Sequence, residues 1–254
     1  MQKLIKLLIR LPRIIKSILI VLLLISFFGL LIAIIEPDTF PSFLIGIWWA
    51  IVTTSTVGYG DYVPETIAGK LIGITLILIG AGFVTAYFAT LAAEAVRTEE
   101  MLLKGLKGVK EENHIIIVGW NEKSRNIISS LHAANERKPI VLIDHTLDKH
   151  PDTPLTFHFI KGKAHEDHTL KRANIQAAKK IVITADVNKN EFQADMFSIL
   201  TLIASKGLNP AINACVEILT ETQVINAQRA GADHIIQTNL FAGEKMVTVL
   251  LSEP

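Results

Sequence analysis

Apolar positions along the chain fall into two regimes. Ser17–Ile35 and Leu71–Ala93 are free of charged residues and dominated by Leu, Ile, Val, Ala and Phe, each run close to the roughly 20 residues that cross a bilayer core as a helix. Between them Ser42–Thr54 (SFLIGIWWAIVTT) is equally apolar, but its span of about 20 Å at helical rise is too short to cross. That pattern predicts a helix that enters the membrane and returns. Backbone returning without helical hydrogen bonds must be buried in protein or line a water-filled cavity.

Beyond residue 113 the period changes. Short β-branched runs at His114–Val118, Ile140–Ile143, Thr156–Ile160, Ile181–Thr184, Ala211–Val216 and His234–Gln237 predict strands. They alternate with helical patterns at Asn126–Ala134, around Leu170, and at Phe192–Ser205, Thr222–Ala230 and Phe241–Leu251. Alternating β and α elements argue for a mostly parallel, doubly wound sheet. The expected fold is therefore a membrane all-α module, two transmembrane helices plus a re-entrant helix, followed by an α/β Rossmann-like doubly wound domain. Its divisions are an amphipathic interfacial helix over 1–16, the membrane module over 17–96, an exposed linker over 97–113 and the α/β domain over 114–254.

Charge orients the picture. Lys3, Lys6, Arg10, Arg13 and Lys16 recur every three or four residues among Leu and Ile, the pattern of a helix lying at the bilayer surface. A voltage sensor is disfavoured, because the segment is too short to span and lacks partner helices. A cleaved signal peptide is disfavoured too, since no small-x-small site follows in Ile34-Ile35-Glu36-Pro37-Asp38. Cations precede the first span and follow the second at Arg97, Lys104 and Lys107, whereas the loop between is acidic except for Lys70. The positive-inside rule then places both termini in the cytoplasm of a multi-pass cell-membrane protein. A net charge of +1 with no basic, aromatic-studded patch argues against nucleic acid. The single Cys215 excludes an intrachain disulfide and a cysteine zinc site.

Candidate chemistry is densest at Thr56-Val57-Gly58-Tyr59-Gly60-Asp61. Glycines at alternate positions allow backbone angles that a Cβ forbids, so successive carbonyls can be aimed at one axis. Thr-Val-Gly-Tyr-Gly is itself the sequence by which potassium filters are known, with carbonyls that replace the ion's hydration shell. With two spans, a half-length helix and Trp48-Trp49 ahead of this loop, residues 17–96 closely resemble the pore module of two-transmembrane K⁺ channels. The resemblance implies a homotetramer in the lipid bilayer with K⁺ held by Thr56, Val57, Gly58, Tyr59 and Gly60. It implies filter support from Trp48, Trp49 and Asp61, with packing or a lipid-interface belt as the plainer reading of the tryptophans. Some relatives carry a buried Glu where this chain has Val52, so gating through that carboxylate is not expected. Gly80 matches the family's gating hinge; small residues in membrane helices also let neighbours approach closely.

The first β-α-β unit carries Gly119-Trp120-Asn121-Glu122-Lys123-Ser124, with Asn and Ser where a dinucleotide fingerprint has its second and third glycines. Asp144, at the tip of the second strand, is placed to hold a ribose hydroxyl. Gly119, Asn121 and Asp144 are thus candidate residues for an adenine nucleotide or NAD(H), with Asn121 weakening the usual pose. The run Ile116–Asn121, the stretch Gly162…Ala173-Asn174-Ile175…Ala178 and Ala230-Gly231-Ala232-Asp233 resemble the N-terminal subdomain of regulator-of-K⁺-conductance (RCK) domains, many of which carry Asp where Lys163 follows Gly162 here, a further departure from the usual nucleotide pocket. That resemblance implies a cytoplasmic ring built with the RCK domains of neighbouring subunits, possibly with extra soluble copies, whose last helix, Phe241–Leu251, crosses to a neighbour. The family's C-terminal lobe is not expected, since the sequence stops at Pro254. Relatives with a regulatory Ca²⁺ site use carboxylates where Thr184 and Cys215 stand here, with only Asp186 and Glu217 nearby, so Ca²⁺ is not expected. His165-Glu166-Asp167-His168 has metal-ligand spacing but reads as a helix start with acids at its positive end; His158 is taken as a strand residue.

The expected function is K⁺-selective conduction gated by the soluble domain, without catalysis. A weakly selective monovalent cation channel is the nearer alternative, disfavoured by Tyr59. A membrane-tethered nucleotide-dependent oxidoreductase is more remote, because no second domain follows to hold a substrate.

Overall fold

The computed structural model describes residues 12–134 and 138–252; the segment expected as an interfacial helix falls largely outside them. The chain divides into two compact units, Met1–Thr98 and Glu99–Pro254, each with its own core.

The first unit contains α1 (Arg13–Ile35), α2 (Phe43–Thr54) and most of α3 (Ile67–Leu103). Among the described residues α1 and α3 are long and apolar enough to span a membrane, and α2 is not. Helix α1 ends where Glu36 and Pro37 interrupt the apolar run, and Ser42 opens α2 by accepting the Ile45 amide on its hydroxyl. The two helices touch backbone to backbone at Gly29 and Gly46: a Cβ on Gly46 would lie 2.0 Å from the Gly29 carbonyl oxygen. Phe28, Ile32, Phe40, Trp49, Ile72 and Leu76 fill the core beside that crossing. The buried Glu36 carboxylate accepts from the Glu65 amide (3.1 Å), the Thr66 amide (2.7 Å) and the Thr66 hydroxyl. It thereby satisfies donors at the start of α3 that the helix cannot satisfy itself.

The second span is the middle of a longer helix. Charged residues expected to open an exposed linker at 97 remain helical to Leu103. Glu, Arg, Met and Leu are good helix formers, and pairs such as Arg97–Glu94 (3.9 Å) stand one turn apart. The rest of that segment is not free either, since Gly105, Val109, Glu111 and Asn113 all bond to the α/β unit.

That unit is a six-stranded, all-parallel sheet in the order β3-β2-β1-β4-β5-β6. Its strands are β1 (Ile115–Val118), β2 (Ile140–Asp144), β3 (His158–Lys161), β4 (Lys180–Ile183), β5 (Asn213–Glu217) and β6 (His234–Ile236). Its helices are α4 (Glu122–Ala133), α5 (Asp167–Arg172), α6 (Glu191–Leu208), α7 (Glu221–Arg229) and α8 (Thr238–Leu251), with a 3₁₀ turn at Ile175–Ala177. The central strand shows why the run is uniformly apolar. Ile116 packs into the core on one face and Ile115 and Ile117 into the core on the other, as the alternation of a strand buried on both sides requires. Ile116 pairs with Val141 on β2 and Ile181 on β4. Strand order reverses between β1 and β4, so the crevice at their carboxyl ends is where such sheets bind ligands.

Candidate functional site

The loop Thr56–Asp61 begins where α2 ends. The Val52 carbonyl accepts from both Val57 N (3.1 Å) and Gly58 N (3.3 Å), turning the chain back on its own helix. Positive φ recurs at Thr56 (61°), Gly58 (59°) and Gly60 (73°), but not at Val57 or Tyr59. Alternating the hand of the backbone turns successive carbonyls toward the same side. Glycine makes this easy at two of the three positions; Thr56 adopts it with a Cβ, a strain of order 1–3 kcal/mol that local structure must hold. The sequence signals the glycines but not the left-handed Thr56.

Trp48 and Asp61 meet beside this strand. The Trp48 ring stacks on Tyr59 with centroids 5.8 Å apart and planes 7° apart, and its indole N–H donates to Asp61 Oδ2 at 2.7 Å. Trp49, also expected at the filter, is buried elsewhere, against Phe40 (5.3 Å). Consecutive helical residues point about 100° apart, so the pair cannot serve one ring. Gly80 lies against the foot of α2, where a Cβ would come 2.4 Å from Thr54 Cγ2, and α3 runs through it as continuous helix. Close helix approach is therefore one role that Gly80 performs.

In the second unit a cavity of about 250 Å³ opens at the carboxyl ends of β1, β2 and β4. It brings together Gly119, Asn121 and Asp144, along with Lys163, His165, Thr184 and Lys189. Gly119 has φ +90°, and a Cβ there would meet Thr184 Oγ1 at 2.7 Å. The two departures from the glycine fingerprint have a local cause. Asn121 Oδ1 accepts from Ser124 N (3.0 Å) while Ser124 Oγ accepts from Asn121 N (2.9 Å), a reciprocal cap on α4. The Asn121 amide also donates to Thr184 Oγ1 at 3.0 Å, bridging the switch point. Asp144 accepts from Thr146 N, Thr146 Oγ1 and Leu147 N on Oδ1, and from Trp120 N (2.8 Å) on Oδ2.

The crevice fits a nucleotide in part. Oδ2 of Asp144 has one internal donor and room for a hydroxyl, and Lys163 and Lys189 add positive charge. The amides of Trp120 and Ser124, on either side of the turn into α4, are already engaged. Thr184 was not foreseen as a pocket residue; the Asn followed three residues on by Ser was its available cue, because it announces a cap rather than a phosphate loop.

Other candidates separate. His165 lines the cavity against Phe197 (5.5 Å), whereas His168 is exposed beside Glu166 (3.5 Å). Glu217 accepts from Lys123 Nζ (2.5 Å), Thr238 Oγ1 (2.6 Å) and Ala185 N (2.8 Å), and the Thr184 hydroxyl donates to the Val118 carbonyl (2.7 Å). His158 pairs with Glu111 at 3.0 Å.

Comparison with known proteins finds the same two parts. An ion-channel family matches residues 18–97 and the TrkA-N domain family matches residues 115–238. The putative potassium channel protein YugO of Bacillus subtilis is 50% identical over 238 residues, covering 94% of this chain and 72% of that protein. The calcium-gated potassium channel TvoK of Thermoplasma volcanium is 27% identical over 225 residues, 87% of this chain and 63% of TvoK. Among solved structures, the GsuK channel has a TM-score of 0.66 at 18% identity, over 92% of this chain and 42% of that one. GsuK bound to ADP has a TM-score of 0.61 at 18% identity, over 89% and 61%. At that identity the likeness is one of fold.

Proposed function

This chain belongs to the family of potassium channels that join a two-helix pore to a TrkA-N domain, and from that premise we propose that it conducts K⁺ as a homotetramer. Each subunit supplies one strand of the filter, Thr56–Gly60, whose alternating backbone hand is the observation that carries the reading. Four such strands around an axis form the carbonyl cages, and Trp48 with Asp61 braces each strand from behind. The filter opens outward at Asp61 and both termini lie in the cytoplasm, following the placement of Arg97, Lys104 and Lys107. Bending α3 at Gly80 breaks its contact with Thr54, which links inner-helix movement to the helix that carries the filter.

The α/β unit regulates the pore. Its crevice takes an adenine nucleotide, ADP- or NAD-like, with Asp144 toward a ribose hydroxyl and Lys163 and Lys189 toward phosphate. One relative of the same fold was solved with ADP and again with NAD. The decisive experiment is K⁺ against Na⁺ flux into liposomes containing the purified protein. Strong preference for K⁺ is expected; equal permeability removes the selectivity claim. Calorimetry with ADP and NAD tests the crevice, and binding abolished by Asp144→Ala is the expected outcome.

A further inference from the structure

A single short helix touches both the crevice and the chain leaving α3. Thr169 and Arg172 stand three residues apart on α5 and so share a face. Thr169 is fully buried against Gly162, where a Cβ would meet its Oγ1 at 2.5 Å, and Gly162 and Lys163 form one wall of the crevice. One turn further on, Arg172 Nη2 donates to the Gly105 carbonyl (2.8 Å) and to the Lys161 carbonyl (2.7 Å). Lys161 N also donates to Gly105 O (2.9 Å), and the Arg172 carbonyl accepts from Val109 N (2.9 Å). The Leu103 carbonyl, at the very end of α3, accepts from His150 N at 2.6 Å.

Arg172 is an expensive residue for such a place. Its Nε is buried without a hydrogen-bond partner, and the cation faces two backbone carbonyls in place of a carboxylate. Even half-burying a charge on neutral acceptors alone carries a desolvation cost, one that packing by itself does not repay. What the guanidinium does is reinforce the backbone bond between two segments, gripping both Gly105, two residues past the end of α3, and Lys161, at the strand end that leads into the crevice wall.

We propose that Arg172 is a positioning residue that couples the crevice to the pore: displacement of the Gly162–Lys163 wall moves α5, and α5 carries Gly105 and the end of α3 with it. This rests on the reading that the crevice binds a nucleotide. A ligand drives the movement by binding one arrangement better than the other. Severing the link then removes the ligand's work on the pore without weakening its grip on the protein.

The test uses the full-length protein in liposomes of phosphatidylethanolamine and phosphatidylglycerol, with ADP and NAD as probes. K⁺ flux is measured with and without each nucleotide, and binding is measured on the same preparation. In Arg172→Lys, which keeps the charge but not the fork, and in Arg172→Gln, the nucleotide Kd is unchanged or tighter while the nucleotide-induced change in flux falls about fivefold or more. Unliganded flux also shifts, because the end of α3 is no longer held. Asn174→Ala, which removes the contact of its Nδ2 with the Glu111 carbonyl (2.8 Å), shifts flux in the same direction by less. Lys206→Met, which breaks a comparable grip on Ile212 O and Asp233 away from α5 and the crevice, leaves flux and binding as they were. Wild-type flux responses in folded Arg172 variants overturn the proposal, as does weakened nucleotide binding in step with lost response, which marks a merely structural role. If the wild type binds neither nucleotide, the crevice reading fails and the coupling is judged on unliganded flux: Arg172 and Asn174 variants indistinguishable from wild type overturn it.

Discussion

Trp48 holds Asp61 across the filter strand, its indole N–H donating to the carboxylate at 2.7 Å while the same ring lies flat on Tyr59. Two restraints thus converge on the Asp61 end of Thr56–Gly60 from one side chain. Trp48→Phe keeps an aromatic face for Tyr59 and deletes the donor, a loss of about 1 kcal/mol per subunit. The expected result is a K⁺/Na⁺ permeability ratio reduced about fivefold in liposomes, with Asp61→Asn, which retains an acceptor oxygen, falling between that variant and wild type.

The crossing of α1 and α2 leaves no room for a side chain. Gly46→Ala places a methyl 2.0 Å from the Gly29 carbonyl oxygen, and both partners are backbone, which cannot turn aside. Separating the helices costs about 1–3 kcal/mol or more. The variant is expected to lose the assembled species on size-exclusion chromatography in detergent, while Gly82→Ala, on a position with open space around it, runs as wild type.

Asn121 offers a gain-of-binding experiment. Asn121→Gly keeps most of the helix-capping preference at a cost of a few tenths of a kcal/mol, removes the bridge to Thr184 and restores the second fingerprint glycine. NAD affinity measured by calorimetry should tighten about threefold to tenfold, the worth of one hydrogen bond regained at the pyrophosphate. Asn121→Ala, which loses the cap and still carries a Cβ, should not tighten it.

His114 makes the α/β unit sensitive to acid. Burial pushes its imidazole below the ordinary histidine range, against the opposing pull of the Ala173 carbonyl and of Glu111. Its Nε2 faces Ala173 O at 2.9 Å, and Nδ1 is buried without a partner. The unfolded chain therefore takes up a proton as pH falls through about 6.5 while the folded one still resists, and stability declines with acidification by at most about 1.4 kcal/mol per pH unit. Above about pH 7 both states are neutral and the effect vanishes. Thermal melts of wild type at pH 7.5 and 5.5 should differ by more than those of His114→Gln, whose amide can still donate to Ala173 O.

The two halves differed in how openly the sequence displays them. Hydrophobic run length and strand-helix alternation give the spans and the parallel sheet, because burial on both faces of Ile115–Val118 leaves no polar positions to obscure the pattern. Of the three left-handed positions in Thr56–Gly60, the two glycines are legible and Thr56 is not. Side-chain partnerships between distant residues are another matter. Nothing adjacent to Glu36 announces that it caps α3 through Glu65 and Thr66, and nothing near Arg172 points to Gly105, since each bond depends on where separate segments come to rest. The charged stretch after the second span looks like a linker for the same reason: most of its polar side chains face water while its backbone is held by Lys161, Arg172, Asn174 and Ala177. Trp48 and Trp49 are alike in sequence, and helix phase alone sends one to Tyr59 and the other to Phe40.

The bonds that tie Gly105, Val109, Glu111 and Asn113 to the α/β unit also bear on where the chain can be cut. A soluble fragment begun at His114, just ahead of the first strand, strips the guanidinium of Arg172 of one of its two carbonyls and uncovers Phe159, on which Gly105 rests. A fragment begun at Glu99 carries its own covering and keeps those contacts whole. Residues inserted between 104 and 113 likewise add no slack between pore and regulator; they bulge outward or tear a fastening.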